Sequence, residues 1–187
     1  MTPINFTARF LADTSVSRIV TRDKTVPEQA AIVELDRNDK NDMEALYELS
    51  DIWNKRGTSY AYSIYCDAIK GYDYDDVVKE HYIALTTQKD NFDTLDSNKV
   101  LGLTLFSETN TPDNEINWLQ VDPENNNSSK IDRNYKMVGS AIINYIKSAY
   151  PEKPVYVQSV ENALDFYKKN GFDIRSENKP NSLYLEC

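Results

Sequence analysis

Near its C-terminus the chain reads Asn162-Ala163-Leu164-Asp165-Phe166-Tyr167-Lys168-Lys169-Asn170-Gly171-Phe172. The spacing predicts a helix over 162–170 that ends at Gly171, because glycine readily adopts the left-handed conformation found just after a helix. Phe172 then begins a strand. Tyr167 lies within the helix, where a tyrosine usually packs in a core, but a phenol aimed at a leaving group can also act as a general acid. The stretch therefore predicts a helix–strand unit with one candidate catalytic side chain.

A second unit, upstream, joins a strand to the most clearly amphipathic helix of the chain. The strand runs over 116–121 and ends at Asp122-Pro123, because proline cannot continue a central ladder. After an Asn- and Ser-rich loop, a helix over 131–149 presents an apolar face formed by Val138, Ile142, Ile143, Ile146 and Ala149. Unpaired amides at a helix start can bind a pyrophosphate without basic side chains, although a plain strand–loop–helix connection has the same pattern.

The rest of the chain alternates short strands with two further helices. The pattern predicts strands at 30–35, 81–86, 100–106, 155–160, 172–174 and 183–185, and helices from an Asp42 cap to Lys55 and over 60–79. A hairpin-rich first part followed by a strand–helix–strand unit indicates a mixed sheet with helices on both faces.

Composition and charge exclude several classes of protein. The 187 residues carry a net charge of −9, which argues against sequence-independent binding to the phosphates of nucleic acids. Cys66 and Cys187 are far apart and His81 is the single histidine, so we expect neither a disulfide framework nor a metal site. No apolar run is long enough to span a membrane, and the first 25 residues lack the apolar centre of a secretory signal, so we expect a cytoplasmic protein.

Together the two units resemble the GNAT superfamily of acetyl-CoA-dependent N-acetyltransferases. The later motif of that family, Ala-x-x-x-Tyr-x-x-x-Gly-Phe, is matched in full by Ala163, Tyr167, Gly171 and Phe172. The Val-x-Pro strand end and the end of the phosphate loop are matched by Val121, Pro123, Gly139, Ser140 and Ala141. The element order from about Val26 onward also agrees.

The chain departs from the family pattern in its phosphate loop. Met137 occupies the position of the first loop glycine, and Asn134 occupies an Arg/Gln position. The stretch from Asn125 to Lys130 has the character of an insertion, and Val160 replaces an asparagine that is frequent in the family. These departures leave open a GNAT-like binding module that has lost its donor, beside an active enzyme.

The resemblance implies an α/β (α+β) fold. We expect a mixed, mostly antiparallel sheet of six or seven strands, splayed in the middle, with about four helices on its two faces. Residues 1–25 would form an N-terminal arm or an extra strand, and residues 26–187 a single acyltransferase domain. A homodimer through the late strands, at 172–175 and 183–187, is consistent with the family.

The resemblance also assigns residues to the reaction. Acetyl-CoA, as co-substrate, would lie between the strands at 116–121 and 155–160. The residues expected to bind it are Leu119, Val121, Asn134, Lys136, Met137, Val138, Gly139 and Ser140. Tyr167 would protonate the leaving thiolate, and Glu115 would serve as the base, with Glu80, Glu108 and His81 as rival bases.

The acceptor is expected to be an amine bound by residues 50–80. Aromatic and acidic side chains there favour a cationic acceptor, either a small molecule or an amine of a protein. They are Trp53, Tyr60, Tyr62, Tyr65, Tyr72, Tyr74, Asp67, Asp73, Asp75 and Asp76. A donor with a longer acyl group than acetyl is an open alternative.

Overall fold

The computed structural model describes residues 8–57, 59–71, 76–125, 133–174 and 182–185. The strands are β1 (Arg9–Thr21), β2 (Lys24–Leu35), β3 (Val77–Thr86), β4 (Val100–Thr109), β5 (Asn114–Val121), β6 (Tyr135–Lys136), β7 (Val155–Gln158), β8 (Asp173–Ile174) and β9 (Ser182–Leu185). The α-helices are α1 (Lys40–Arg56), α2 (Ala61–Lys70), α3 (Val138–Ala149) and α4 (Leu164–Lys169).

All nine strands belong to one sheet, in the order β6-β1-β2-β3-β4-β5-β7-β9-β8. Neighbouring strands are antiparallel except for the parallel pair β5–β7. Seven strands have four or more residues, as predicted, and the two-residue strands β6 and β8 extend the sheet at its edges. The predicted mixed, mostly antiparallel sheet is confirmed.

The helices cover both faces of the sheet and bury two hydrophobic clusters. The first cluster contains the apolar face of α3 together with Tyr167 of α4 and Phe172. The second contains Leu46, Leu49 and Trp53 of α1 and Ile64 of α2. Each cluster exists because a helix buries its apolar stripe against one side of the alternating strand pattern.

The sheet opens between β5 and β7. These strands pair only from Asn114↔Val155 to Ile116↔Val157, whereas β5 continues to Val121 alongside β4. In the described part of the chain, no strand pairs with the other side of β5 beyond Ile116. This gap is the splay that the resemblance implies.

A β-bulge at Asn117 lies where the gap begins. Ile116 is opposite Phe106 and Trp118 is opposite Leu105, so Asn117 is the extra residue. As a result Ile116 and Leu119 both pack on the α3 side of the sheet, three residues apart, whereas Trp118 packs on the α1/α2 side. Sequence periodicity does not reveal this shift.

Several element boundaries differ from the predictions. The helix expected over 131–149 begins at Val138, since the chain first forms β6, and the helical stretch expected over 60–79 ends at Lys70. Residues 9–21 form β1, a long hairpin partner of β2, which corresponds to the extra strand that was one of the two expectations for residues 1–25, and β2 begins at Lys24.

The predicted cap of α1 was also misplaced. Asp39 caps the helix by accepting hydrogen bonds from the amides of Asn41 and Asp42, at 2.8 and 3.2 Å. Asp42 is instead buried, and its two oxygens accept the amides of Ala8 and Asp36 at 3.1 and 2.8 Å. Asp42 therefore ties the start of β1 and the end of β2 to the first turn of α1.

Candidate active site

The start of α3 lies at the open side of the splay. Met137 precedes the helix with φ 70°, in the left-handed region that favours glycine, and it occupies the position where the resembled motif has glycine. Its side chain is 58% exposed. The residue that raised the alternative of a binding module is therefore largely exposed to solvent, and its backbone keeps the conformation that glycine would provide.

The first amides of α3 have no acceptors within the helix. The first helical hydrogen bond runs from the amide of Ala141 to the carbonyl of Met137, at 2.9 Å. The amides of Val138, Gly139 and Ser140 precede it and point out of the helix end. These three N–H groups, with the positive end of the helix dipole, form an arrangement that favours an anion.

Gly139 brings α3, β5 and α4 into contact. A Cβ atom at this position would lie 2.8 Å from Cζ of Phe166 and 3.6 Å from Cγ2 of Val121. Only a glycine therefore lets the helix start approach both the splayed strand and the helix that carries Tyr167. Three of the sequence motifs meet at this contact.

The loop before α3 is closed by a side chain. Oδ1 of Asn125 accepts the amides of Asn134 and Tyr135, at 3.0 and 2.9 Å, and β6 pairs Lys136 with Ser17 of β1. The amide of Asn134, which was predicted to bind acetyl-CoA, thus already donates to Asn125. Residues 126–132, which include most of the predicted insertion, lie outside the described residues.

Tyr167 is buried in the first cluster, with 6% of its surface exposed. Its ring makes edge contacts with Phe166 and Phe172, with centroids 5.1 and 5.3 Å apart. Its hydroxyl has no hydrogen-bond partner among the residues that the structure describes. Burial raises the pKa of the phenol, so Tyr167 stays protonated at neutral pH and can donate a proton.

Glu115 lies on β5 next to the start of the gap. It is opposite Tyr156 of β7, and because its neighbour Ile116 faces α3, its side chain faces the α1/α2 side, as Trp118 does. It is half-buried, and within the described ranges its carboxylate makes no hydrogen bond or ion pair. Burial raises its pKa, which makes the carboxylate a better proton acceptor.

The rival bases are engaged in other contacts. Nδ1 of His81 lies 2.6 Å from Oε1 of Glu34, and Nε2 lies 2.7 Å from Oε1 of Glu108. His81 is 2% exposed, so no ring nitrogen is left to take a proton from an acceptor. Glu80 binds Arg37 at 2.8 Å and the hydroxyl of Tyr82 at 2.9 Å.

The side of the gap opposite α3 is formed by α2 and the connection before it. The ring of Tyr60 stacks on Trp118, with centroids 5.1 Å apart and planes at 26°. We call this pair the aromatic ledge. Nε1 of Trp118 donates a hydrogen bond to Oδ2 of Asp67, at 2.9 Å, and the amide of Tyr60 donates to Oε1 of Gln120, at 3.3 Å. The ledge is thus fixed to the splayed part of β5.

The structure separates the other aromatic residues that were predicted for the acceptor. Trp53 is fully buried in the second cluster, and its Nε1 has no hydrogen-bond partner among the residues that the structure describes. Tyr62 and Tyr65 lie in a surface seam with Tyr47. Tyr72, Asp73, Tyr74 and Asp75 lie outside the described residues. Of the predicted set, Tyr60 and Asp67 are therefore the ones placed beside β5, and the sequence analysis missed Trp118, which only the bulge turns toward them.

A cavity of about 560 Å³ lies away from the gap, at the end of the sheet where β2 finishes and β3 begins. Its polar lining includes Arg9, Arg37 and Lys79, and the two arginines pair with Glu34 and Glu80 respectively. The cavity contains neither Glu115 nor Tyr167.

Two features, a cluster of metal ligands and a membrane-spanning helix, are absent from the described residues. None of them forms a group of three or more His, Cys, Asp or Glu side chains that could hold a metal ion. Within the same ranges, no helix combines the length and the apolar composition needed to cross a bilayer.

Comparison with known proteins gives similarity to solved structures alone. No protein-family model and no curated protein sequence matches the chain. Among solved structures the chain is similar to the crystal structure of Escherichia coli ElaA, at 17% sequence identity and a TM-score of 0.48. The matched region covers 84% of this chain and 99% of that chain.

Proposed function

We propose that the protein is an N-acetyltransferase that moves an acetyl group from acetyl-CoA to an amine. One observation supports this most strongly. The edge of β5 from Trp118 to Val121 lies between the amides of α3 on one face and the half-buried carboxylate of Glu115 on the other, and among the described residues neither the edge nor these groups have partners. Donor and acceptor groups could therefore meet at the same opening of the sheet.

The residues around the gap suit acetyl-CoA. The amides of Val138, Gly139 and Ser140 would hold the pyrophosphate, and the positive φ of Met137 turns the chain into them. Backbone groups of Leu119 and Val121, free of a second strand, would bind the pantetheine arm. Holding both substrates in one gap supplies much of the rate enhancement by itself.

The reaction needs two proton transfers by the protein. Acetyl-CoA supplies a thioester carbon, on which a C–N bond to the amine forms while the C–S bond breaks. Glu115 takes the proton that the amine nitrogen must lose, and its raised pKa suits this role. Tyr167 gives its proton to the departing sulfur and regains one from solvent, so the products are an amide and free CoA.

Calorimetric titration with acetyl-CoA tests the donor site, and we expect a dissociation constant below 1 mM, within the usual range of such enzymes. A sharper test is Ser140→Asp. An acidic residue in the first turn favours the helix but repels a pyrophosphate, so binding should weaken at least about tenfold with an unchanged or higher melting temperature.

Ser148→Asp, near the other end of α3, is the matched control and should leave the affinity for acetyl-CoA unchanged. An absence of heat with the unmodified protein, or equal affinities for the unmodified protein and Ser140→Asp, would contradict the proposal.

A further inference from the structure

The aromatic ledge presents a π face beside the open strand. Tyr60 is 42% exposed although its ring is stacked on Trp118, and Trp118 is itself partly exposed. A ring that served only to fill the core would be buried, whereas this ring is accessible to a ligand next to the gap. A cation placed over such a face is attracted by the ring quadrupole.

The charges around the ledge favour a positive ligand. Asp67 accepts the indole N–H of Trp118 with one oxygen, and its other oxygen has no partner in the part of the chain that the structure describes. Nearby, Arg56 is matched by two carboxylates, Asp122 at 2.6 Å and Glu124 at 3.5 Å. Acidic groups therefore outnumber basic ones on this side of the gap.

The ledge and Glu115 lie on the same face of β5. Because of the bulge at Asn117, Glu115 and Trp118 both face the α1/α2 side, three residues apart. At about 3.3 Å per residue this places them roughly 10 Å apart along the strand. An extended acceptor could thus bring its amine to Glu115 while another part of it reaches the ledge.

We infer that the acceptor is an extended molecule with two cationic centres. One is a primary amine that loses its proton to Glu115 and is acetylated, and the other is a cation bound by Tyr60, Trp118 and Asp67. This inference rests on the proposed function for the role of Glu115. A linear polyamine and a lysine-rich peptide both have this chemistry.

Binding can be measured without turnover, because Trp118 is a natural fluorophore in the ledge while Trp53 is fully buried. The protein is titrated with spermidine, with a Lys-Gly-Lys peptide, and with n-butylamine, which has one charge. We expect spermidine or the peptide to bind about tenfold more tightly than n-butylamine, which is typical of a desolvated cation–π contact. The stronger of the two identifies the kind of acceptor.

Two variants test the assigned residues. Asp67→Asn keeps an acceptor for the indole N–H but removes the charge, and Tyr60→Ala removes the exposed ring. Both should abolish the preference for the multiply charged amine and leave binding of n-butylamine unchanged. Tyr47→Ala, which removes a tyrosine of similar exposure whose ring contacts Tyr65, should change neither.

Equal binding of all three amines to the unmodified protein, or a preference that survives both variants, would overturn the inference. The titration with acetyl-CoA is independent of these measurements. Failure of donor binding with a retained preference for the multiply charged amine would contradict the proposed function but leave the ledge as a polycation site.

Discussion

Glu115 and Glu34 are partly buried glutamates of the same sheet, yet their surroundings give them opposite properties. For Glu34, burial raises the pKa, but the hydrogen bond and charge of His81 together with the charges of Arg9 and Lys79 outweigh burial and hold the pKa below its usual value. For Glu115, burial acts alone and the pKa rises. The comparison shows that the partner of a buried carboxylate, more than its burial, decides whether it stabilises the fold or is available for chemistry.

The largest effect is expected from Glu115→Gln. Loss of a general base should lower kcat by about 100-fold or more, measured as release of CoA thiol. In the unmodified protein kcat should rise with pH through the raised pKa of Glu115, since the base must be deprotonated, and this rise should disappear in the variant. Stability at pH 7 should not fall, because the substitution removes an unpaired, half-buried charge.

Glu108→Gln is the matched control, since that carboxylate already binds His81, and it should retain the pH dependence. Full activity of the Glu115→Gln variant would contradict the role of Glu115 as the base.

The next largest effect concerns the His81 cluster. His81→Leu leaves Glu108 without its donor and Glu34 with Arg9 as its remaining partner, and breaking a buried charge pair of this kind costs about 3 kcal/mol of unfolding free energy, measured by urea denaturation. The double variant with Glu108→Gln should recover part of the loss, because the carboxylate left without a partner loses its charge. Equal stability of His81→Leu and the unmodified protein would mean that the cluster is not structural.

Tyr167→Phe should have a smaller effect that falls on turnover alone. The ring contacts with Phe166 and Phe172 survive the substitution, so the melting temperature and the affinity for acetyl-CoA should stay the same. We expect kcat to fall about tenfold to 100-fold through loss of the proton donor. A large loss of affinity with unchanged kcat would identify Tyr167 as a packing residue.

The smallest effect is a pH dependence of stability from Asp42, a buried carboxyl held by two amides without a cation. Burial raises its pKa to about 6, from 3.8. A raised pKa means that the folded state binds the proton more tightly, so this contribution to stability is present at low pH and is lost as pH rises through 6.

Between pH 7 and pH 5, the unmodified protein should therefore gain about 1 kcal/mol relative to Asp42→Asn, measured by urea denaturation at both values. A difference that stays constant with pH would show that Asp42 does not titrate in this range.

Much of the fold and part of the site could be predicted from local patterns. The apolar face of α3 and the end of α4 follow from helical spacing and from Gly171, which has φ 93°. The strands of the sheet follow from runs of apolar residues, and Pro123 ends β5. The bounds of β1 and β2 could not be predicted, because β1 and the first half of β2 consist mostly of exposed and half-buried residues.

The sequence by itself determined most of the strand and helix pattern, the apolar face of α3 and the motif that contains Tyr167, because each depends on residues close to each other in the chain. Only the tertiary structure decided that Glu115 has no partner among the described residues and that Glu34 binds His81. It also decided that Trp118 donates a hydrogen bond to Asp67, 51 residues away in the chain. The reason is physical: a one-residue bulge at Asn117 exchanges the faces of β5, and the environment of a charge is set by groups that the chain brings together from a distance.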